Sequence, residues 1–136
     1  MKLKQSTKRH IESEIMDYHK TKQELENVKQ DLLYGQFPNN DENVGGGRKN
    51  LPTTPVENRV IARLQSKQIR RLETTLTAIE SVYENLNPEK QEFLRVCFWE
   101  RKYTIVGLAS KFNISRRTAI RWKNEIIVLV AKEFGY

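Results

Sequence analysis

Residues 101–124 read RKYTIVGLASKFNISRRTAIRWKN, and this stretch decides the fold. Thr104 is placed to cap a short helix that runs to about Phe112. Asn113-Ile114-Ser115 makes a tight turn, and Ser115 caps a further helix from Arg116. Asn113 stands where glycine is common, because asparagine also tolerates the left-handed conformation at a helix C-terminus. Helical spacing turns Leu108, Phe112, Ile114, Ala119 and Trp122 inward. Ala109 takes the crossing point, where a larger side chain would push the helices apart. The pattern predicts a helix-turn-helix.

With those positions inward, Arg116, Arg117, Ile120, Arg121 and Asn124 lie on or beside the outer face of the second helix. Arginine can donate a bidentate pair to guanine, asparagine can do the same to adenine, and isoleucine can meet a thymine methyl. Ser115, Thr118, Lys102, Lys111 and Lys123 are better suited to phosphates, which fix register without reading sequence. The plainer alternative is an αα-hairpin with a basic surface.

Charge distribution favours a polyanion. The 136 residues carry 24 Lys and Arg against 17 Asp and Glu, a formal net charge of +7. Residues 1–34, 35–55 and 56–100 are nearly balanced, whereas residues 101–136 hold eight basic and two acidic side chains. Between Arg101 and Lys123 there are seven basic residues and no acid. Each Lys or Arg set on a phosphate releases a condensed counterion.

Outward from this block the sequence favours helix. The last helix is expected to continue to Phe134 with Gly135 ending it, and Ile126, Leu129 and Val130 extend the inward stripe. Ile127 and Val128 fall partly outside that stripe. Asn87 and Pro88 start an earlier helix, whose stripe is Phe93, Leu94, Cys97 and Phe98. Before it, Thr54-Pro55-Val56-Glu57 forms a capping box for a helix of about 30 residues, with Ile61, Leu64, Ile69, Leu72, Leu76, Ile79, Tyr83 and Leu86 on one stripe. Four of six glycines and three of four prolines fall between Gly35 and Pro55, which marks a flexible linker. Ser6 to about Tyr34 carries Ile11, Ile15, Tyr18, Leu25, Val28 and Leu32 on one more helical stripe. The fold class is therefore all-α: an N-terminal amphipathic helix (1–34), a Gly/Pro-rich linker (35–55), a long scaffold or dimerisation helix (56–86) and a C-terminal helix-turn-helix domain (87–136).

Other function classes are excluded by composition. The longest uninterrupted apolar run, Ile126 to Ala131, has six residues, far short of the roughly 20 that a membrane helix needs. The charged N-terminus has no apolar stretch after it, so no secretory signal is expected. A single cysteine, Cys97, excludes an internal disulfide framework and suits a reducing cytosol; it is read as a small packed hydrophobe. Two histidines and one cysteine do not supply a conventional zinc site. The triple glycine, Gly45 to Gly47, lacks the Gly-Lys-Ser/Thr of a phosphate loop. Carboxylates are scattered over charged helix faces with no nucleophile beside them, so neither catalysis nor a cofactor is expected.

Leu86-Asn87-Pro88, Phe93-Leu94, Tyr103-Thr104-Ile105, Leu108-Ala109, Ile114 to Thr118 and Arg121-Trp122-Lys123 together resemble the promoter-reading region 4 of bacterial sigma factors. That resemblance covers about 50 residues, Leu86 to Gly135. The whole chain resembles the RinA/ArpU-type phage transcriptional regulators of Gram-positive bacteria. This implies activation of late phage operons in the cytoplasm of a bacterial host, with double-stranded DNA as partner. One such module buries only about 600–1,000 Å², so useful affinity calls for a homodimer or for contacts with RNA polymerase. One other reading uses the same helix-turn-helix, that of the DNA-recognition (small) subunit of a phage packaging machine; another is a protein-only adaptor that touches no DNA.

Overall fold

The computed structural model describes residues 2–33 and 55–136, and all regular structure among them is helical. The all-α expectation holds. In chain order the helices are α1 (Gln5–Met16), α2 (Tyr18–Leu33), α3 (Pro55–Asn85), α4 (Pro88–Leu94), α5 (Ile105–Lys111) and α6 (Arg116–Glu133). A π-helical segment, Arg95–Glu100, continues α4. The expected linker lies outside the described residues except for Pro55, as does the Thr54 cap.

Local signals set most boundaries. The Asn87 side chain accepts from the Lys90 amide at 2.8 Å and Pro88 opens α4. Thr104 accepts from the Gly107 amide at 3.1 Å to start α5. Ser115 accepts from the Thr118 amide at 3.0 Å to start α6. Each cap satisfies an amide that has no partner in its own helix. At the C-termini, α5 and α6 close in the same way. Asn113 is left-handed (φ 56°), and the amides of Asn113 and Ile114 return to Ser110 and Ala109. Gly135 is left-handed (φ 99°), and the amides of Gly135 and Tyr136 return to Lys132 and Ala131. Both have the bonding pattern of a Schellman motif.

Two departures come from distant packing. The helix expected from Ser6 to about Tyr34 is interrupted at Asp17, which separates α1 from α2. The Trp99 indole donates to the Ile15 carbonyl at 3.0 Å, an acceptor belonging to the i→i−4 ladder. A side chain inserted there bends or breaks a helix. Past the break, Tyr18 stacks on Trp99 with centroids 5.1 Å apart and donates its hydroxyl to Glu80 on α3. The second departure is the π turn. Phe93 and Phe98, five residues apart, are both fully buried, a spacing that a wider turn brings onto one side. Val96 is buried with them, while Cys97 is only half-buried. Arg101 ends the segment in the left-handed region (φ 53°), where its amide returns to the Val96 carbonyl.

The compact units follow packing rather than the punctuation of the sequence. One contains residues 1–20 and 74–136; the other contains residues 21–73. In the first, α1 packs along α6 and the π segment, and Ile11, Ile15, Ile79, Phe93, Phe98, Ile126 and Val130 form its core. In the second, Leu25 and Val28 of α2 and Leu72 of α3 are buried, and Lys29 pairs with Glu73 at 3.3 Å.

The expected stripe of α3 is buried only towards its C-terminal end. Leu72, Leu76 and Ile79 are buried, as are Ala78 and Val82, whereas Leu64 is 60% exposed. Ile79→Ala is therefore expected to cost about 2–5 kcal/mol and Leu64→Ala no more than about 0.5 kcal/mol. Urea unfolding of the two variants checks this; equal shifts of the midpoint would contradict the burial gradient.

Candidate nucleic-acid interface

The C-terminal half of the larger unit presents α6 with one face covered and one open. Ala119, Ile126, Ile127, Val130 and Ala131 are buried. Phe112, Ile114 and Trp122 are half-buried, and Trp122 and Phe112 both meet Phe93 edge-on at 5.4 Å. Leu108 and Ala109 of α5 are buried as the spacing required. One pair of expectations is exchanged. Leu129, expected inward, is 40% exposed, and Ile127, expected partly outside, is 3% exposed. The cause is α1, which packs along α6 and widens its covered face towards the Lys123 side.

On the open side, Arg116, Arg117, Ile120, Arg121 and Asn124 are all exposed. Arg117, Ile120, Arg121 and Asn124 line a single shallow groove of about 670 Å³. Arg116 stands outside this lining. The groove also takes in Leu86 and Lys90 from the α3–α4 junction, and it continues along α6 to Val128 and Leu129. Lys90 is held over the Trp122 ring at 5.6 Å from its centroid and lies 3.5 Å from Glu125. Its walls carry two guanidinium groups, an amide and the Lys90 ammonium beside one carboxylate, Glu125, and apolar residues from Ile120 to Leu129. The excess of cationic donors suits an anionic, hydrogen-bonding partner that also offers apolar edges.

The five residues expected at phosphates are dispersed. Lys102 is exposed in the segment before α5, and Lys111, also exposed, lies over the Tyr103 ring at 5.7 Å. The Ser115 and Thr118 hydroxyls are bonded to each other at 2.8 Å within the α6 cap. Lys123 is turned to α1, where it meets Glu12 at 3.0 Å.

A family model described as a protein of unknown function (DUF722) matches residues 7–132. The transcriptional activator RinA of Staphylococcus phage phi11 is 30% identical over 133 residues, or 98% of this chain and 94% of that protein. The chain belongs to the RinA family. No solved structure matches it.

In this member of the RinA family, the sequence reading missed Leu86 and Lys90. Lys90 follows the Asn87 cap in α4, and only the packing of α4 on α6 carries it to the groove. No local signal marks that role. Among the described residues, no helix is long and apolar enough to cross a membrane. Nor do any three His, Cys, Asp or Glu side chains cluster to hold a metal there.

Cys97 lies near the Lys123–Glu12 pair, and burial pushes its thiol up to about 11, with Glu12 adding to the rise and Lys123 opposing it. The native thiol is expected to react with a disulfide reagent at pH 8 roughly a hundred times more slowly than the urea-unfolded chain. Because the folded pKa is raised, its contribution to stability is complete below about pH 9 and lost as pH rises through about 11. Equal labelling rates in the folded and unfolded chains would contradict this environment.

Proposed function

We propose that this chain is a phage transcription regulator that binds double-stranded DNA in a sequence-specific way. The carrying observation is the alignment of Arg117, Ile120, Arg121 and Asn124 in one exposed groove on α6, the helix whose other face is built into the core. α5 and α6, joined through Asn113, would act as a helix-turn-helix, with α6 in the major groove. Arg117 and Arg121 donate to guanine edges, Asn124 to adenine, and Ile120 meets thymine methyls. Arg116, expected among the base readers, stands outside the groove and joins Lys102, Lys111 and Thr118 at phosphates on the rim. Lys123 and Ser115 act by position: the first anchors α6 to α1, and the second sets where α6 begins. The name of the phage phi11 relative, a transcriptional activator, supports the regulatory assignment. We further read the chain as an activator of late phage genes acting in the bacterial cytoplasm, as the resemblance of its sequence to the RinA/ArpU-type regulators implies.

Affinity of a single module is limited by its small interface. We infer that a homodimer or RNA polymerase supplements it; a dimer requires half-sites about 34–36 Å apart or a multiple of this. Footprinting on the phage's own promoter region tests the reading. Arg117→Ala with Arg121→Ala is expected to abolish selective protection, each good base contact providing about 1–3 kcal/mol of discrimination. Unchanged, sequence-selective protection by the double variant would refute it. A ring of eight or more subunits in light scattering would favour the packaging reading instead.

A further inference from the structure

The near-neutral balance of residues 56–100 conceals a second basic block. From Arg59 to Leu72 there are five basic residues and no Asp or Glu; the acids of this window come later, apart from Glu57. Arg59, Arg63 and Lys67 are all exposed on α3. Steps of four residues place them on one face of the helix, rising about 6 Å at each step. Arg70, also exposed, continues the same face. On the other side of α3, Gln68 meets Glu24 of α2 at 3.3 Å, and Leu72 is buried in the same compact unit as Leu25 and Val28.

We propose that Arg59, Arg63 and Lys67 form a second DNA-contacting surface, which binds duplex phosphates without reading their sequence. The proposal rests on the DNA-binding reading for its choice of polyanion, but it uses a different helix and a different readout. From Arg59 to Lys67 the helix advances about 12 Å, over which a duplex presents about seven phosphates. The stripe therefore meets several phosphates wherever it lies on the backbone. Guanidinium groups match phosphate oxygens in a bidentate fork and are more weakly hydrated than an ammonium. A membrane surface would require a wide apolar face beside the charges. On the apolar side of α3, Leu72 is buried within its own unit while Val60, Ile61 and Leu64 are exposed, so vesicle binding is the measurement that separates a membrane surface from DNA.

Fluorescence anisotropy with a labelled random duplex of about 30 base pairs, in about 50 to 200 mM NaCl, tests this on the full chain. The triple variant Arg59→Gln, Arg63→Gln and Lys67→Gln keeps good helix formers at each position. Its plot of log affinity against log salt is expected to be shallower than wild type by two to three units, at about 0.9 per phosphate contact. Its preference for the selected site over the random duplex stays unchanged. An unchanged slope, with helicity retained by circular dichroism, overturns the proposal. So does a variant that binds DNA like wild type but loses binding to vesicles of phosphatidylserine and phosphatidylcholine. Arg117→Ala with Arg121→Ala, run beside it, separates the two readings: loss of selectivity reports on α6, and loss of slope reports on α3.

Discussion

The indole of Trp99 is the point at which the larger unit is tied together. Its N–H donates to the Ile15 carbonyl, and its ring is stacked with both Tyr18 and Tyr83 at 5.1 and 5.5 Å. Arg95 donates to the Tyr83 hydroxyl and lies over that ring, which closes the cluster from the π segment. Three stretches far apart in sequence are held by one side chain. A buried or half-buried carbonyl left without its donor costs about 1–3 kcal/mol, and each aromatic pair adds about 0.5–1.5 kcal/mol beyond area. The break at Asp17 is the local consequence, because one acceptor of the α1 ladder serves a side chain from the other end of the chain.

What Trp99 secures is the back of the candidate interface. With α1 fixed at Ile15, Ile11 and Ile15 are buried and Glu12 reaches Lys123 on α6. α6 is consequently gripped by α1 on one side and by α4 and α5 on others, leaving the Arg117–Arg121–Asn124 face open. A reading helix needs such rigid support, because bidentate contacts tolerate only small errors in position. The burial of Tyr18 fits the same design: burial and its bond to Glu80 push the phenol up to about 12, so the hydroxyl remains a donor throughout the neutral range.

Features governed by a few neighbouring residues were legible in the sequence. Asn87, Thr104 and Ser115 cap the helices they were expected to cap, and Asn113 and Gly135 take the left-handed turns expected of them. Each outcome is decided within one helical turn. Features decided by packing were not legible. The Asp17 break needs Trp99, 84 residues from the Ile15 whose carbonyl it takes. The exchange of Leu129 for Ile127 needs α1 on α6, and the place of Lys90 in the groove needs α4 on α6. The basic stripe of α3 was present in the sequence but was averaged out by counting charge over 45 residues. Periodicity finds a helix face; it does not say which neighbour will cover it.

Selection of bound duplexes from a random library tests most directly whether α6 reads bases through its exposed face. An enriched motif is expected in which guanines and an adenine occupy consecutive major-groove positions, lost when Arg117 and Arg121 are both alanine. Palindromic enrichment would indicate a dimer, and an asymmetric site a partner-assisted monomer. A library that shows no enriched sequence with the wild-type chain, or the same motif with the double variant, would contradict base reading by α6.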